Sequence, residues 1–216
     1  MTLARWSPIS GVVFVALWIS LFVVAKDPGD TDAEITAYFA DDGNRTRQVW
    51  TFFLVLGAAL FFVWFLTVLR GRLAEAEGRS GPLTALAFGA GLVAAGLWVV
   101  ADVFFSAVSF AVDFTENELY MVEPNTFRLV DNMGYALWFS GTTIASLVVI
   151  ATSIMSVKTG FLPKWLGWLG FVAAATMLVA FFFIPFLIWL GWVLFVSILL
   201  IWKPRAGETS AAAATS

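Results

Sequence analysis

The chain has 216 residues, of which 61% are hydrophobic and 12% are charged, with a net charge of -3. That charged share is about half of the usual value for a soluble domain, so a water-soluble surface is excluded and we predict an integral membrane protein. The absence of cysteine and histidine removes the side chains that hold iron–sulfur clusters, most haems and most zinc ions, so we expect no metal site and no cofactor. We also expect no nucleic-acid partner.

Six apolar runs approach the length of about 20 residues that a spanning helix needs. They predict an all-α polytopic membrane protein: a bundle of six transmembrane helices in a single domain, residues 1–205, with a disordered tail at 206–216. The predicted spans are residues 9–25, 49–69, 83–112, 129–157, 165–183 and 186–202.

The first run also has features of a signal peptide. Arg5 precedes a moderate apolar stretch, and Val23-Val24-Ala25 before Lys26 provides a candidate cleavage site. Cleavage within residues 1–25 would leave five spans and a new N-terminus outside. We favour an uncleaved anchor because Arg5 alone marks the basic start of the segment.

The loop at residues 26–48 predicts a short helix on the outer surface. Thr31 followed by Glu34 is a capping-box pattern, and Ile35, Tyr38 and Phe39 then recur at helical spacing on one face. The acidic residues of this loop also approximate the spacing of a calcium loop. That alternative is disfavoured because Ile35 occupies the position at which such a loop needs glycine.

Polar side chains form one stripe in the third run and another in the fourth. Because polar groups in lipid lower their cost by hydrogen bonding across helices, we expect these two stripes to face each other. At 100° per residue, the third-run stripe consists of Asp102, Ser106, Ser109 and Asp113. The fourth-run stripe consists of Asp131, Tyr135, Thr142, Ser146, Ser153 and Ser156.

Asp113 and Asp102 differ in their predicted depth in the membrane. Asp113 and Arg128 both lie beyond the hydrocarbon at one level, so we predict an exposed ion pair between them. Asp102 falls between about 7 Å outside the midplane and the outer boundary. An ionisable group inside the hydrocarbon indicates a proton, ion or ligand site, whereas a boundary aspartate bonded to tyrosine or indole is structural. Both interpretations stay open for the candidate polar site, which comprises Asp102, Ser106, Ser109, Tyr135, Trp138 and Thr142.

The last apolar region predicts a hairpin. As one helix, residues 165–202 would be about 57 Å long, far more than a bilayer needs. We predict a turn at residues 183–185, since Pro185 disfavours helix in the residue before it.

Basic residues predict the orientation, because cytoplasmic loops retain lysine and arginine. Their distribution places both termini in the cytoplasm and residues 26–48 and 114–127 outside. The inner set is Arg5, Arg70, Arg72, Arg79, Lys158, Lys164, Lys203 and Arg205, and the outer set is Lys26, Arg45, Arg47 and Arg128.

Three stretches carry a resemblance to a known family: "AEITAYFADDGNR" (33–45), "LRGRLAEAEG" (69–78) and "GFLPKWLGWLGF" (160–171). In a chain of this length with six spans, they resemble a family of uncharacterised bacterial integral membrane proteins that is defined only as a domain of unknown function. The resemblance implies the bacterial inner membrane and carries over no catalytic residue. Within the third stretch, Gly167 and Gly170 are also at positions suited to close helix packing.

Three classes of function are compatible with these features. The scarcity of intramembrane charge favours a noncatalytic accessory, sensory or scaffold protein in the lipid bilayer. The first alternative is a small transporter or hydrophobic-ligand carrier, proton-linked through Asp102, and the second is a membrane-embedded enzyme without metal or cysteine. Small-residue faces pack within one chain or between chains, so a protein partner and a homo-oligomer both stay open.

Overall fold

The computed structural model describes residues 7–78, 81–114, 122–178 and 183–202. Within these ranges the chain forms α-helices and no β-strand, in agreement with the all-α prediction. The predicted tail, 206–216, lies outside the described residues. The helices are α1 (Ile9–Val24), α2 (Asp32–Ala40), α3 (Asp42–Glu77), α4 (Pro82–Phe114), α5 (Pro124–Thr159), α6 (Lys164–Met177) and α7 (Phe183–Trp202).

Several helices begin and end at residues that satisfy their terminal backbone groups. The predicted capping box of α2 is confirmed: the Thr31 hydroxyl accepts a hydrogen bond from the backbone N–H of Glu34, whose carboxylate accepts one from the Thr31 N–H. Asp41 and Glu123 cap α3 and α5 by accepting from N–H groups three residues further on. Helix α3 ends at Gly78, whose φ of 77° is a left-handed conformation that glycine adopts without strain.

Six of these helices form a closed ring in which each packs antiparallel to the next. In chain order the ring runs α1, α3, α4, α5, α6 and α7, and α7 returns to pack against α1. In every neighbouring pair, residues further along one helix contact residues earlier in the other, as antiparallel packing requires. The two contacts that show this for each pair, in ring order, are Phe14–Phe62 and Leu17–Gly57, Phe52–Phe110 and Phe62–Trp98, Trp98–Thr142 and Phe105–Tyr135, Val157–Gly167 and Ser153–Gly170, Trp165–Phe195 and Gly170–Trp192, and Phe14–Trp189 and Trp18–Phe186.

Helix α2 lies across one end of the ring, where it contacts α3, α4 and α5. We call this end the α2 end, and the opposite end, where α5 ends and α6 begins, the Lys164 end. The apolar face predicted for α2 is confirmed, because Ile35, Tyr38 and Phe39 are buried against Val108 of α4 and Phe127 of α5. Helix α2 therefore packs onto the end of the ring through the apolar face that the sequence predicts.

Helix length supports four membrane crossings. Helices α3, α4, α5 and the part of α7 from Ile184 are each long and apolar enough to span a bilayer. Helix α1 has 16 residues and α6 has 14, fewer than the roughly 20 that a perpendicular crossing needs. The predicted span 165–183 also includes residues 179–182, which lie outside the described residues.

The chain from Lys164 to Trp202 folds back on itself, but the predicted turn position is wrong. Helix α6 ends at Met177 and α7 begins at Phe183, so residues 183–185 form the first turn of a helix. Pro185 is the third residue of α7, where its missing N–H costs nothing because the first N–H groups of a helix have no partner within it. The proline thus belongs to a helix start.

Aromatic side chains fill the centre of the ring. Phe14, Phe62, Trp98 and Trp189, from four different helices, all lie in contact, with ring centroids 4.8 to 6.2 Å apart. We call these four residues the aromatic core. They are fully buried, and offset or edge-on ring pairs at such distances stabilise a fold beyond simple burial. The centre of the bundle is therefore filled by aromatic side chains in mutual contact.

Candidate functional site

The candidate site is the buried polar face of α4. Asp102, Ser106 and Ser109 lie along it at helical spacing, and all three are buried, Asp102 being 6% exposed. The prediction that these side chains face inward is confirmed. Toward the Lys164 end the same face continues as small residues, and Gly91 packs so closely on Leu66 of α3 that a larger side chain would overlap it.

At the end of this face nearest α2, Ser109 forms its hydrogen bond with α3 and not with α5. The Ser109 hydroxyl donates to Oε1 of Gln48, and Nε2 of Gln48 donates to the backbone carbonyl of Phe105 at 2.7 Å. The expectation that the α4 stripe faces the α5 stripe is wrong at Ser109. In a ring each helix has two neighbours, and here the second neighbour supplies the partner. Gln48 was not predicted as a site residue because it lies just before the apolar run of α3, although its amide group was the available signal.

Asp102 lies about one turn nearer the α2 end than Trp98 of the aromatic core. Its Oδ2 atom is buried without a hydrogen-bond partner among the described residues, and so are Oγ of Ser106 and Nε1 of Trp18. Trp18 belongs to α1, and its ring lies 6.1 Å from that of Trp98. Most buried polar atoms in proteins are hydrogen-bonded, so leaving these three atoms unpaired next to the aromatic core has an energetic cost.

Tyr135 and Trp138 are not the partners that the sequence analysis expected for Asp102. Tyr135 is 53% exposed, and its ring packs 5.0 Å from that of Phe105. Trp138 is half-buried, with its ring 5.0 Å from Phe186 of α7. Within the described part of the chain, no hydrogen bond joins either residue to Asp102. Both lie at the predicted level, but the rotation of α5 about its axis leaves Tyr135 exposed and directs Trp138 toward α7.

Thr142 connects the candidate site to the aromatic core. Its hydroxyl accepts from Nε1 of Trp98 at 3.3 Å and donates to the backbone carbonyl of Trp138 at 2.9 Å. This is a hydrogen bond between α4 and α5, of the kind predicted for the two stripes. It fixes the Trp98 indole in the middle of the ring, directly below the level of Asp102.

The predicted ion pair between Asp113 and Arg128 is wrong. Nε of Arg45 lies 2.5 Å from Oδ1 of Asp113, and Nη2 of Arg128 lies 2.6 Å from Oδ1 of Asp32. The Arg45 guanidinium also donates to the backbone carbonyl of Phe39 at 2.7 Å. Asp113 pairs with Arg45 because α3 is the other neighbour of α4 in the ring, and Arg128 pairs with Asp32 because α2 packs against α5 at this end.

The chemistry available at the candidate site is that of one carboxyl group with a hydroxyl one helical turn away. Asp102 and Ser106 can hold or pass a proton, and a third buried donor is present at Trp18. No group of three or more acidic side chains comes together as a metal site within the described ranges. The site is thus a small polar layer between the aromatic core and the α2 end.

Within the residues that the structure describes, the fold is an all-helical bundle with four helices long and apolar enough to cross a membrane. Comparison with known proteins adds no relative: no protein-family model matches the chain, and no curated protein or solved structure matches it. The resemblance to a bacterial family of unknown function stays a prediction.

Proposed function

We propose that this chain is a noncatalytic integral membrane protein with an accessory, sensory or scaffold role. The observation that carries the proposal is the aromatic core. Its four rings occupy the axis of the helix ring and touch one another, so the axis offers no polar route between the two ends. A transporter needs a central site that opens to each side in turn.

The proposal places six crossings in the bacterial inner membrane, with both termini cytoplasmic. The antiparallel ring supports six crossings, because α1 and α6 each run alongside longer helices that match a membrane. The short helices are about 24 and 21 Å long at 1.5 Å per residue, a mismatch that a bilayer accommodates by local thinning. The eight lysine and arginine residues predicted for the side of Lys164, against four for the other side, favour a cytoplasmic Lys164 end.

A second candidate, a proton-linked transporter or carrier, is favoured by Asp102 alone. A carboxyl group buried within a spanning helix with an unpaired oxygen is costly, and such residues often mark ion or proton pathways. The polar layer around Asp102 lies on the α2 side of the aromatic core. A pathway through Asp102 would therefore require Trp98 and its neighbours to move.

Proton flux into liposomes tests the two candidates. Purified protein is reconstituted in vesicles that contain a pH-sensitive dye, and a potassium diffusion potential drives protons inward. Under our proposal the wild-type protein and Asp102→Asn give the same internal pH change as vesicles without protein. Asp42→Asn is the matched control, since that side chain is exposed on the α2 end. Flux in the wild type and in the control that disappears in a folded Asp102→Asn variant would overturn the accessory, sensory or scaffold role in favour of proton-linked transport.

A further inference from the structure

A groove opens on the outside of the bundle where α1 ends beside α3. Helix α1 has 16 residues and α3 has 36, which correspond to about 24 and 54 Å at 1.5 Å per residue. The start of α3 therefore extends past the end of α1 at the α2 end. The face of α3 that α1 would otherwise cover is left open toward the surroundings of the bundle.

The groove has a volume of about 580 Å³, within the roughly 300–1,000 Å³ typical of ligand sites. Its α3 wall consists of residues three or four positions apart, which share one face of a helix. This wall is apolar toward the middle of the bundle and polar toward the α2 end. The lining residues are Val23 and Val24 of α1, and Gly43, Thr46, Arg47, Trp50 and Leu54 of α3.

Arg47 gives the groove an unneutralised positive charge. Within the described part of the chain it makes no ion pair, whereas Arg45, two residues earlier, pairs with Asp42 and Asp113. None of the residues lining the groove is acidic. Lys26 also lies nearby, where its Nζ donates to Oδ1 of Asn44 at 2.9 Å, but the adjacent Asp27 offsets its charge, so Arg47 is the cation that the groove presents. A guanidinium group in this setting is suited to a phosphate, to which arginine can donate two parallel hydrogen bonds.

The apolar part of the groove decides between a lipid and a soluble anion. Trp50 is 62% exposed, and indole rings at helix ends prefer the level of lipid headgroups. Leu54 lies seven residues further along α3 than Arg47, about 10 Å nearer the middle of the bundle. A free phosphate would occupy the Arg47 end and leave this apolar wall uncovered, whereas an acyl chain covers it.

We propose that this groove binds one anionic phospholipid. The headgroup phosphate accepts hydrogen bonds from Arg47 and the Thr46 hydroxyl, and an acyl chain packs along Val23, Trp50 and Leu54. The site depends on residence in a membrane but not on the accessory, sensory or scaffold role, so either proposal can fail without the other.

Native mass spectrometry of the delipidated full-length protein tests the site, with phosphatidylglycerol as the anionic probe and phosphatidylcholine as the zwitterionic one. We expect one phosphatidylglycerol to bind more tightly than phosphatidylcholine. Arg47→Gln should weaken that binding about tenfold or more, because it removes a charge-assisted pair of hydrogen bonds. Arg47→Lys should retain part of the affinity, since the charge is kept. Val23→Trp should weaken both lipids by filling the apolar part.

The matched control is Arg70→Gln near the Lys164 end, where the guanidinium lies 4.8 Å from the Phe88 ring centroid. This variant should bind phosphatidylglycerol as the wild type does. Equal affinity of Arg47→Gln and the wild type would overturn the proposal, as would equal weakening by Arg47→Gln and Arg70→Gln. Inorganic phosphate that binds as tightly as phosphatidylglycerol would overturn the choice of a lipid. Far-UV circular dichroism of each variant establishes that it is folded.

Discussion

Replacing Trp98 by alanine should destabilise the bundle more than the same change at any lipid-facing tryptophan. The Trp98 indole is 1% exposed and touches rings from three other helices: Phe14 and Trp18 of α1, Phe62 of α3 and Trp189 of α7. Truncation leaves a cavity that these neighbours cannot fill without moving their own helices. Membrane proteins depend on such packing because lipid gives no hydrophobic drive for helices to associate.

The expected loss in free energy of unfolding is about 3–5 kcal/mol for Trp98→Ala, the usual range for deleting a buried aromatic side chain. Trp98→Phe keeps a ring in the cavity but loses the 3.3 Å hydrogen bond to Thr142. The Thr142 hydroxyl still donates to the Trp138 carbonyl, so no polar atom loses its last partner. We expect a hydrogen-bond cost of about 1 kcal/mol for that variant.

Equilibrium unfolding in mixed micelles, followed by far-UV circular dichroism during a titration with sodium dodecyl sulfate, measures these differences. Trp168→Ala is the matched control, because Trp168 is 63% exposed on the outside of α6; its cost should stay within about 0.5 kcal/mol. If Trp98→Ala and Trp168→Ala shift the midpoint equally, the aromatic core does not hold the ring together.

Three further predictions concern the ends of the bundle. Arg45→Lys cannot reproduce the bonds to both Asp113 and the Phe39 carbonyl, so α2 amides should exchange about tenfold faster in hydrogen-exchange measurements; unchanged exchange would contradict the docking role. The Thr31 hydroxyl and backbone N–H lower the pKa of Glu34 from its usual 4.5, so its contribution to α2 stability is present above that pH and is lost as the pH falls below it. Protection factors of α2 should drop in that acidic window, and Glu34→Gln should make the drop smaller, because the carboxylates of Asp32 and Asp113 still hold α2 in the variant. Because the chain has no native cysteine, cysteines introduced at positions 41 and 75 report topology: an impermeant thiol reagent should label the first in intact cells and not the second, and the reverse would refute the orientation.

The sequence predicted which face of each helix is buried better than it predicted which neighbouring helix that face contacts. Hydrophobic periodicity fixes which side of a helix is buried, so the inward orientation of Asp102 and Ser109 and the apolar face of α2 were all predictable. The close packing predicted for Gly170 is also present, since an added Cβ there would meet Nε1 of Trp192 at 2.8 Å. What periodicity does not fix is which of two neighbouring helices a buried face meets.

The wrong pairings share that cause. Ser109 meets Gln48 and Asp113 meets Arg45, and both partners lie on α3 and not on α5. Counting residues along α4 and α5 predicted the correct position of Tyr135 along the bundle axis, yet the rotation of α5 leaves its side chain exposed. Rotation about the axis is set by packing in the whole ring, including the aromatic core, and no local pattern in one helix encodes it.

Buried hydroxyl groups near the Lys164 end of the bundle and those near the α2 end find hydrogen-bond partners in different ways. Toward the Lys164 end, Thr152, Ser156 and Ser197 each donate to the carbonyl four residues earlier in their own helix. Such bonds cost little to maintain and require no ligand, although Ser153 in that half has an unpaired oxygen. Toward the α2 end, Ser109 bonds across to Gln48 of α3, whereas Oδ2 of Asp102 and Oγ of Ser106 lack a partner among the described residues. The aromatic core lies on the Lys164 side of Asp102, so a ligand or proton moving along the axis of the bundle from that end would meet these rings first. Under the proposed function, access to Asp102 from the α2 end alone would suit a sensor or a binding partner, whereas net transport needs access from both ends.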